Sequence, residues 1–410
     1  MSLSDPVSGQ ASGGLGISHG PDRAGGRSGC AQSLLFVTNV AWFFISHRLA
    51  LARGAIAAGL TVHLASDVED EAEIAAVSQE GIKFHRLRVV RSGLNPIDEM
   101  KCILELRRVM LHVHPAIVHN VTSKPVIYGS WVARALKTPG VVNAISGFGH
   151  VYGSGTGRLL LRGLMDRAYA RALAPQNVRV IVQNNEDRAE VLRICPQARE
   201  RVHLIQGSGV DLNVFKEWSE VAGTPTVLLP ARLLREKGIY EFAAAAAELR
   251  RTGLAAHFVL AGRLDPANRG ALSAQQIHDL CSASGMQWLG DCKDMPRLYR
   301  ESHIVCLPSY YREGVPKVLL EACACGRPVV TTDTPGCRDV VRAEQNGLLV
   351  PPRDSSALAA AIRQLVIDPQ RRKRMGAQAR ILAEREFGVE RVVERHVEIY
   401  RGLLGPTLLA

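Results

Sequence analysis

Short apolar runs alternate with longer amphipathic segments along most of this chain. Leu34–Thr38, Thr61–Ala65, Ile117–Val121, Val141–Ile145, Val178–Val182 and Val202–Ile205 are dense in β-branched residues and read as buried strands. Between them, Arg48–Ala58, Asp98–His112, Lys124–Leu136 and Glu186–Ile194 carry helical spacing of apolar positions. The polar interval Gly207–Thr224 interrupts the rhythm. Strands then resume at Thr226–Pro230, His257–Ala261, Gln287–Leu289, Ile304–Pro308 and Val329–Thr332. Helices follow at Tyr240–Arg251, Lys317–Cys325, Ser356–Val366, Gln370–Glu386 and Val389–Leu404. Repeated strand–helix–strand predicts an α/β chain of two doubly wound, Rossmann-like domains, each a parallel sheet covered on both faces. Ligands of such sheets bind beyond the carboxyl ends of the strands, so the chemistry is expected in strand-to-helix loops facing a cleft.

The pattern divides into a Gly/Ser-rich tail at 1–30, expected to be disordered, and a first domain at 31–210. A second domain covers 211–388, and a last helix falls within 389–410. Composition refines this picture. Lys and Arg number 50 against 39 Asp and Glu, a net charge of +11 that favours anionic partners. Both halves share the surplus, so it belongs to folded domains rather than a basic tail. Aromatics make up only 5% of the chain, which argues against a base-stacking nucleic-acid binder. Nine cysteines without a C-x-x-C do not make a zinc site and read as free thiols in a reducing cytosol. No apolar run approaches the roughly 18 residues of a membrane span.

Two loops carry candidate chemistry. In Tyr311–Val330 a strand runs through Glu313-Gly314-Val315-Pro316-Lys317 into a helix that contains Glu321. Proline suits the first helical turn, glycine permits close approach, and the free N–H groups of a helix start attract an anion. Ionised Glu313 and Glu321 can each accept two hydrogen bonds, as vicinal sugar hydroxyls require, although two glutamates eight apart also occur by chance. In Leu228–Gly238, Arg232 and Lys237 project from the loop after the second domain's first strand. A guanidinium fork and an ammonium suit a pyrophosphate whose charge grows as it departs; ordinary surface basicity is the alternative, and accounts for Arg235.

These residues, with Ala261-Gly-Arg, Gly326-Arg-Pro and Asn346-Gly-Leu-Leu-Val350, resemble the donor half of family 4 retaining glycosyltransferases of GT-B fold. The first half is similar to that family's bacterial polysaccharide branch, which extends undecaprenyl-diphosphate-linked sugars. It carries Asn39…Trp42-Phe-Phe-Ile-Ser-His47-Arg48, Ser92-Gly-Leu-Asn-Pro96, Thr122-Ser-Lys124-Pro125, Ser146-Gly147-Phe148-Gly149 and Gln206-Gly-Ser-Gly-Val-Asp211. The resemblance spans residues 33 to 404 and implies roles. Glu321 would hold the donor's ribose and Glu313 the transferred sugar. Arg232 and Lys237 would bind the diphosphate, assisted by amides of Gly314 to Lys317. His47, Arg48, Lys124, Gly147, Phe148 and Gly149 would lie on the acceptor side. The last helix would cross back to the first domain. Relatives often place a histidine after the fourth strand, where this chain has Val121-Thr-Ser-Lys124; His119 falls within the strand itself, which leaves Lys124 as the polar candidate.

The implied reaction moves a hexose or N-acetylhexosamine from a nucleotide diphosphate, UDP being expected, to a lipid-linked sugar at the cytoplasmic face of the plasma membrane. No D-x-D occurs in the chain, so neither a metal nor another cofactor is expected. An epimerase of the same fold acting on UDP-N-acetylhexosamine is the alternative. Three features stay open between packing and function. Gly147–Gly153 lacks the spacing of a dinucleotide loop and reads as a turn or a cleft loop, with Gly153–Gly157 as its hinge. Leu161, Leu164, Met165, Ala168 and Ala172 form one stripe flanked by Arg158, Arg162, Arg167 and Arg171, which suits either a core or a membrane interface. Trp42-Phe43-Phe44, at the first strand's end, poses the same question.

Overall fold

The computed structural model describes residues 32–89, 95–148 and 159–405. The 1–30 segment, Ser92, Gly149, Gly153–Gly157 and Arg158 lie outside the described residues. The first half runs β1 (Ser33–Val40), α1 (Ala41–Ala57), β2 (Thr61–Asp67), α2 (Glu71–Gln79), β3 (Lys83–Arg86), α3 (Pro96–Val113) and β4 (Ile117–Val121). It continues through α4 (Ser123–Ala135), β5 (Gly140–Ile145), α5 (Leu159–Leu173), β6 (Val178–Val182), α6 (Asn185–Ile194) and β7 (Val202–Leu204). The second half runs β8 (Thr226–Pro230), α7 (Ile239–Arg251), β9 (His257–Ala261), α8 (Ala274–Ser284), β10 (Gln287–Trp288), α9 (Met295–Glu301) and β11 (Ile304–Leu307). It ends with α10 (Lys317–Ala324), β12 (Val329–Thr332), β13 (Gly347–Val350), α11 (Ser355–Ile367), α12 (Pro369–Leu382) and α13 (Val389–Leu404).

The strands form two sheets in the orders β3-β2-β1-β4-β5-β6-β7 and β10-β9-β8-β11-β12-β13. All neighbouring strands are parallel, β1 pairing with both β2 and β4, and β8 with both β9 and β11. Strand order reverses at β1/β4 and at β8/β11. Crossovers leave those strands in opposite directions there, which opens a crevice at the carboxyl ends. Every residue of β4, β5, β11 and β12 is buried, as expected of strands covered on both faces. The expected α/β architecture of two doubly wound sheets is therefore the observed one.

Helix α13 packs on the first sheet's layer. A Cβ at Gly54 of α1 would stand 2.1 Å from Val393 Cγ1, so the missing side chain lets the two helices touch. The Tyr400 hydroxyl lies 2.6 Å from His119 Nδ1 of β4, and Tyr400 and Ile399 join the core beneath α1.

Several elements differ from the sequence reading. The apolar stretch Leu34–Ile45 splits at Val40, so α1 begins seven residues before Arg48 and Trp42-Phe43-Phe44 are helical. Phe44 is fully buried while Trp42 and Phe43 are half-buried; β-favouring aromatics had masked the helix start. Helix α2 buries only Val77, and β3 is a partly exposed edge, so neither announces itself by apolar density. Helices α8 and α9 and strand β13 are likewise additional to the expected elements. The expected helix Gln370–Glu386 stops at Leu382 and continues as one wide turn of π-helical geometry, Ala383–Phe387. In α5, Met165 and Ala168 pack on the core and Ala172 is buried, while Leu164 is 63% exposed. The stripe is thus mostly a core face, and Arg162 pairs with Glu190 at 3.1 Å. All eight cysteines among the described residues are free thiols. No helix among the described residues is long and apolar enough to cross a membrane.

Candidate active site

A cleft of about 760 Å³ opens at the carboxyl ends of the two sheets, with loops after β8, β9 and β11 on one wall and α1, α4 and β5 residues on the other. Glu313, Gly314, Val315, Pro316, Lys317, Glu321, Arg232, Lys237, His47, Arg48 and Lys124 all line it.

On the second-half wall the acids and cations interlock. Lys237 Nζ lies 2.5 Å from Glu313 Oε2, and the Ser309 hydroxyl donates to Glu313 Oε1 at 2.7 Å. Lys237 is aimed there by Gly238, whose φ of 76° ends the preceding turn. A side chain at that position would strike the Pro308 carbonyl at 2.2 Å. Arg232 donates to Asp265, which is 3% exposed, at 2.8 Å. Glu321 is buried in α10, accepts from the Tyr299 hydroxyl at 2.9 Å, and lies 3.1 Å from Lys317 Nζ. Burial and the adjacent Glu321 carboxylate hold the Tyr299 phenol well above its ordinary range, so it stays a donor.

The start of α10 bears on the expected anion site. Gly314 N–H donates to the Ser146 carbonyl at 3.2 Å and Val315 N–H to Gln183 Oε1 at 2.9 Å, both acceptors in the first half. Those two amides are therefore committed to holding the walls together, contrary to the expectation that they serve a ligand. Pro316 has no N–H. No side chain caps α10, so the N–H groups of Lys317 and Val318, residues that line the cleft, are the ones available to an anion.

The facing wall comes from α1, α4 and the end of β5. His47 is pushed down to about 3 by burial and by the charges of Lys317, Arg48 and Arg232, so it is a neutral imidazole. Arg48 is 4% exposed, and Lys124 pairs with Glu99 of α3. Thr122, at φ 75°, is a β-branched residue in the left-handed region, and this bend turns the chain from β4 so that α4 begins at the cleft. Trp42 ties the walls at their rim: Arg263 lies over its ring at 4.3 Å, and Glu69 accepts from both Trp42 Nε1 and Arg263.

Two acceptor-side expectations turn out differently. Phe148 is 3% exposed and packs edge-on against Tyr169 in the first core, because β5 carries it inward past the cleft. Gly147 does not line the cavity, but with φ 96° its Cα abuts the Glu313–Gly314 peptide; an added Cβ would meet Gly314 N at 3.0 Å. Gly149 lies outside the described residues. His119 is buried in β4 and bonded to Tyr400, away from the cavity lining. Sequence reasoning missed Asp265, Tyr299 and Gln183. Only Asp265 had a signal nearby, following Ala261-Gly-Arg by two residues.

Residues 33–185 match the family Glycosyl transferase 4-like, and residues 212–382 match Glycosyl transferases group 1. The chain is 26% identical over 334 residues to the N,N'-diacetylbacillosaminyl-diphospho-undecaprenol alpha-1,3-N-acetylgalactosaminyltransferase of Campylobacter jejuni, covering 78% of this chain and 86% of that one. Among solved structures, sucrose-phosphate synthase from Thermosynechococcus elongatus superposes with a TM-score of 0.75 at 21% identity, over 92% of this chain and all of the other. HepE of Anabaena, in complex with UDP and glucose, gives 0.73 at 18% identity over 90% of this chain and all of its own. With two facing Rossmann-like sheets and both halves matched, the chain belongs to the family 4 glycosyltransferases of GT-B fold.

Proposed function

We propose that this glycosyltransferase moves a hexose or N-acetylhexosamine, with retention of configuration, from UDP to a hydroxyl of a polyprenyl-diphosphate-linked sugar. The observation that carries the reading is the Lys237–Glu313 contact beside Arg232, Glu321 and the uncapped start of α10. Residues 211–388 would bind the donor, 31–210 the acceptor, and 389–410 would strap the two. The HepE complex with UDP and the undecaprenol-linked acceptor named for the Campylobacter relative point the same way. Glu321 would hold the ribose hydroxyls and Glu313 those of the transferred sugar. As the bond from the anomeric carbon to the β-phosphate oxygen breaks, its electron pair stays on the phosphate. Arg232, Lys237 and the amides of Lys317 and Val318 stabilise that charge. The acceptor oxygen bonds to the anomeric carbon on the face the phosphate leaves, and its proton passes to the departing phosphate oxygen. Fixed cations supply the charge stabilisation, so the reaction is metal-independent.

Action at a bilayer surface is supported by α3, which has two opposed apolar faces. Cys102, Leu106 and Met110 enter the core. At about 100° per residue, Ile97, Met100, Leu104 and Leu111 fall in one stripe on the other side. They are 65%, 56%, 47% and 39% exposed. Exposed Lys101, Arg107 and Arg108 flank the stripe, which suits anionic headgroups. Helix α3 starts beside the cleft, since Glu99 in its first turns holds Lys124 of the lining. This face replaces α5 as the membrane candidate. The test is nucleotide release from a panel of UDP- and GDP-sugars with a polyprenyl-diphosphate-linked acceptor, the product anomer being read by NMR. Conversion of a nucleotide sugar without acceptor would favour the epimerase, which the transferase relatives do not. Loss of activity in EDTA restored by manganese would refute metal independence.

A further inference from the structure

Five cations lining the cleft have carboxylate partners: Lys124 with Glu99, Arg232 with Asp265, Lys237 with Glu313, Arg263 with Glu69 and Lys317 with Glu321. Arg48 has none among the described residues. Its Nη1 donates to the His47 carbonyl at 3.1 Å, its Nη2 reaches Ser146 Oγ at 3.5 Å, and its Nε has no partner. The side chain is nevertheless 4% exposed. The titratable groups near it offer no compensation. His47, His119 and His396 are all held neutral by burial, and the Tyr400 phenol is held protonated by burial. A guanidinium withdrawn from water without a counterion is costly, and its retention at a cavity wall indicates that a ligand completes it.

We propose that Arg48 is a second phosphoryl-binding site, distinct from the donor's diphosphate site, and that it receives the diphosphate of the acceptor. The inference rests on the functional reading above. A planar guanidinium without a carboxylate partner matches phosphoryl oxygens, which accept charge-assisted N–H bonds from it. The donor's phosphates already have Arg232, Lys237 and the α10 start on the other wall. Arg48 sits on α1 beside Ser146 and shares its wall with Lys124, so its anion enters from the first-half side.

Calorimetric titration of the full-length protein tests this. UDP is titrated first, and inorganic pyrophosphate is then titrated into the UDP-saturated protein. Pyrophosphate is expected to bind saturably, and Arg48→Gln to weaken it by about tenfold or more, the range of a lost charged hydrogen bond, with UDP affinity changed less than about twofold. Arg48→Lys, which keeps the charge but not the fork, should lose about threefold and serves if the glutamine variant does not fold. Equal pyrophosphate binding by wild type and both variants would overturn the proposal. So would the absence of pyrophosphate binding to the UDP-saturated protein, or an equal loss of UDP affinity, which would place Arg48 on the donor's phosphate. If UDP did not bind at all, the donor assignment would fail by itself, and the Arg48 dependence of pyrophosphate binding would still be read directly.

Discussion

Lys237 and Glu313, 76 positions apart in sequence, meet at 2.5 Å between Nζ and Oε2. Each comes from the loop after one of two adjacent strands, β8 and β11, at the point where strand order reverses. The contact holds an acid that suits sugar hydroxyls against a cation that suits phosphate, the arrangement on which the proposed donor site rests.

Lys237→Ala should therefore lower kcat by roughly 10²–10³-fold, while UDP affinity falls less. Steady-state kinetics with the accepted nucleotide sugar measures both. Activity within a few-fold of wild type would remove Lys237 from the mechanism.

Gly314→Ala should act through closure of the cleft. Its Cβ would stand 2.0 Å from Gln183 Oε1, so the Gly314 and Val315 bonds to the first half cannot both persist. The expected result is a kcat reduced by about tenfold or more through misplacement of the reacting groups, with UDP still bound. Gln183→Leu should reproduce a milder form.

Acid should loosen α13. Burial, with Arg48 and Arg395 nearby, pushes His396 down to about 3, and His119 stacked on it is also well below its usual value. The unfolded chain then binds more protons than the folded one between about pH 3 and about pH 6.5. Stability is full above that window and falls as pH drops through it. For His396 alone the loss from pH 7 to pH 5 is about 2 kcal/mol. Thermal melts across this range should flatten in His396→Gln; an unchanged slope would discount this histidine.

Membrane contact through α3 predicts that Met100→Asp with Leu104→Asp lowers co-flotation with vesicles containing anionic lipid by about tenfold, with UDP affinity intact. Unchanged flotation would disqualify the α3 face.

The strands Ile117–Val121, Val178–Val182, Thr226–Pro230 and His257–Ala261 were legible to the residue, because each is a short run rich in aliphatic and β-branched residues between longer amphipathic segments, even where His119, Asn120 or Arg179 interrupts it. That Glu313, Glu321, Arg232 and Lys237 would meet in one cleft was legible too, since each lies in a strand-to-helix loop or in the first turns of the helix that follows it. Trp42 and Phe148 were not. An aromatic beside a glycine or a strand end has the same local pattern whether it faces a core or a cleft, and only the neighbours that arrive from distant segments decide.

Alternation of apolar and amphipathic segments determined the two-sheet architecture, and loop chemistry determined which wall carries the paired acids and cations. Tertiary structure decided that the Gly314 and Val315 amides bond to Ser146 and Gln183 of the first half, and that Asp265 and Tyr299 buttress Arg232 and Glu321. It also decided that Arg48 is buried without a carboxylate partner among the described residues. Period and composition report what a residue prefers, whereas hydrogen bonds and charge compensation depend on which atoms from far along the chain come within about 3 Å.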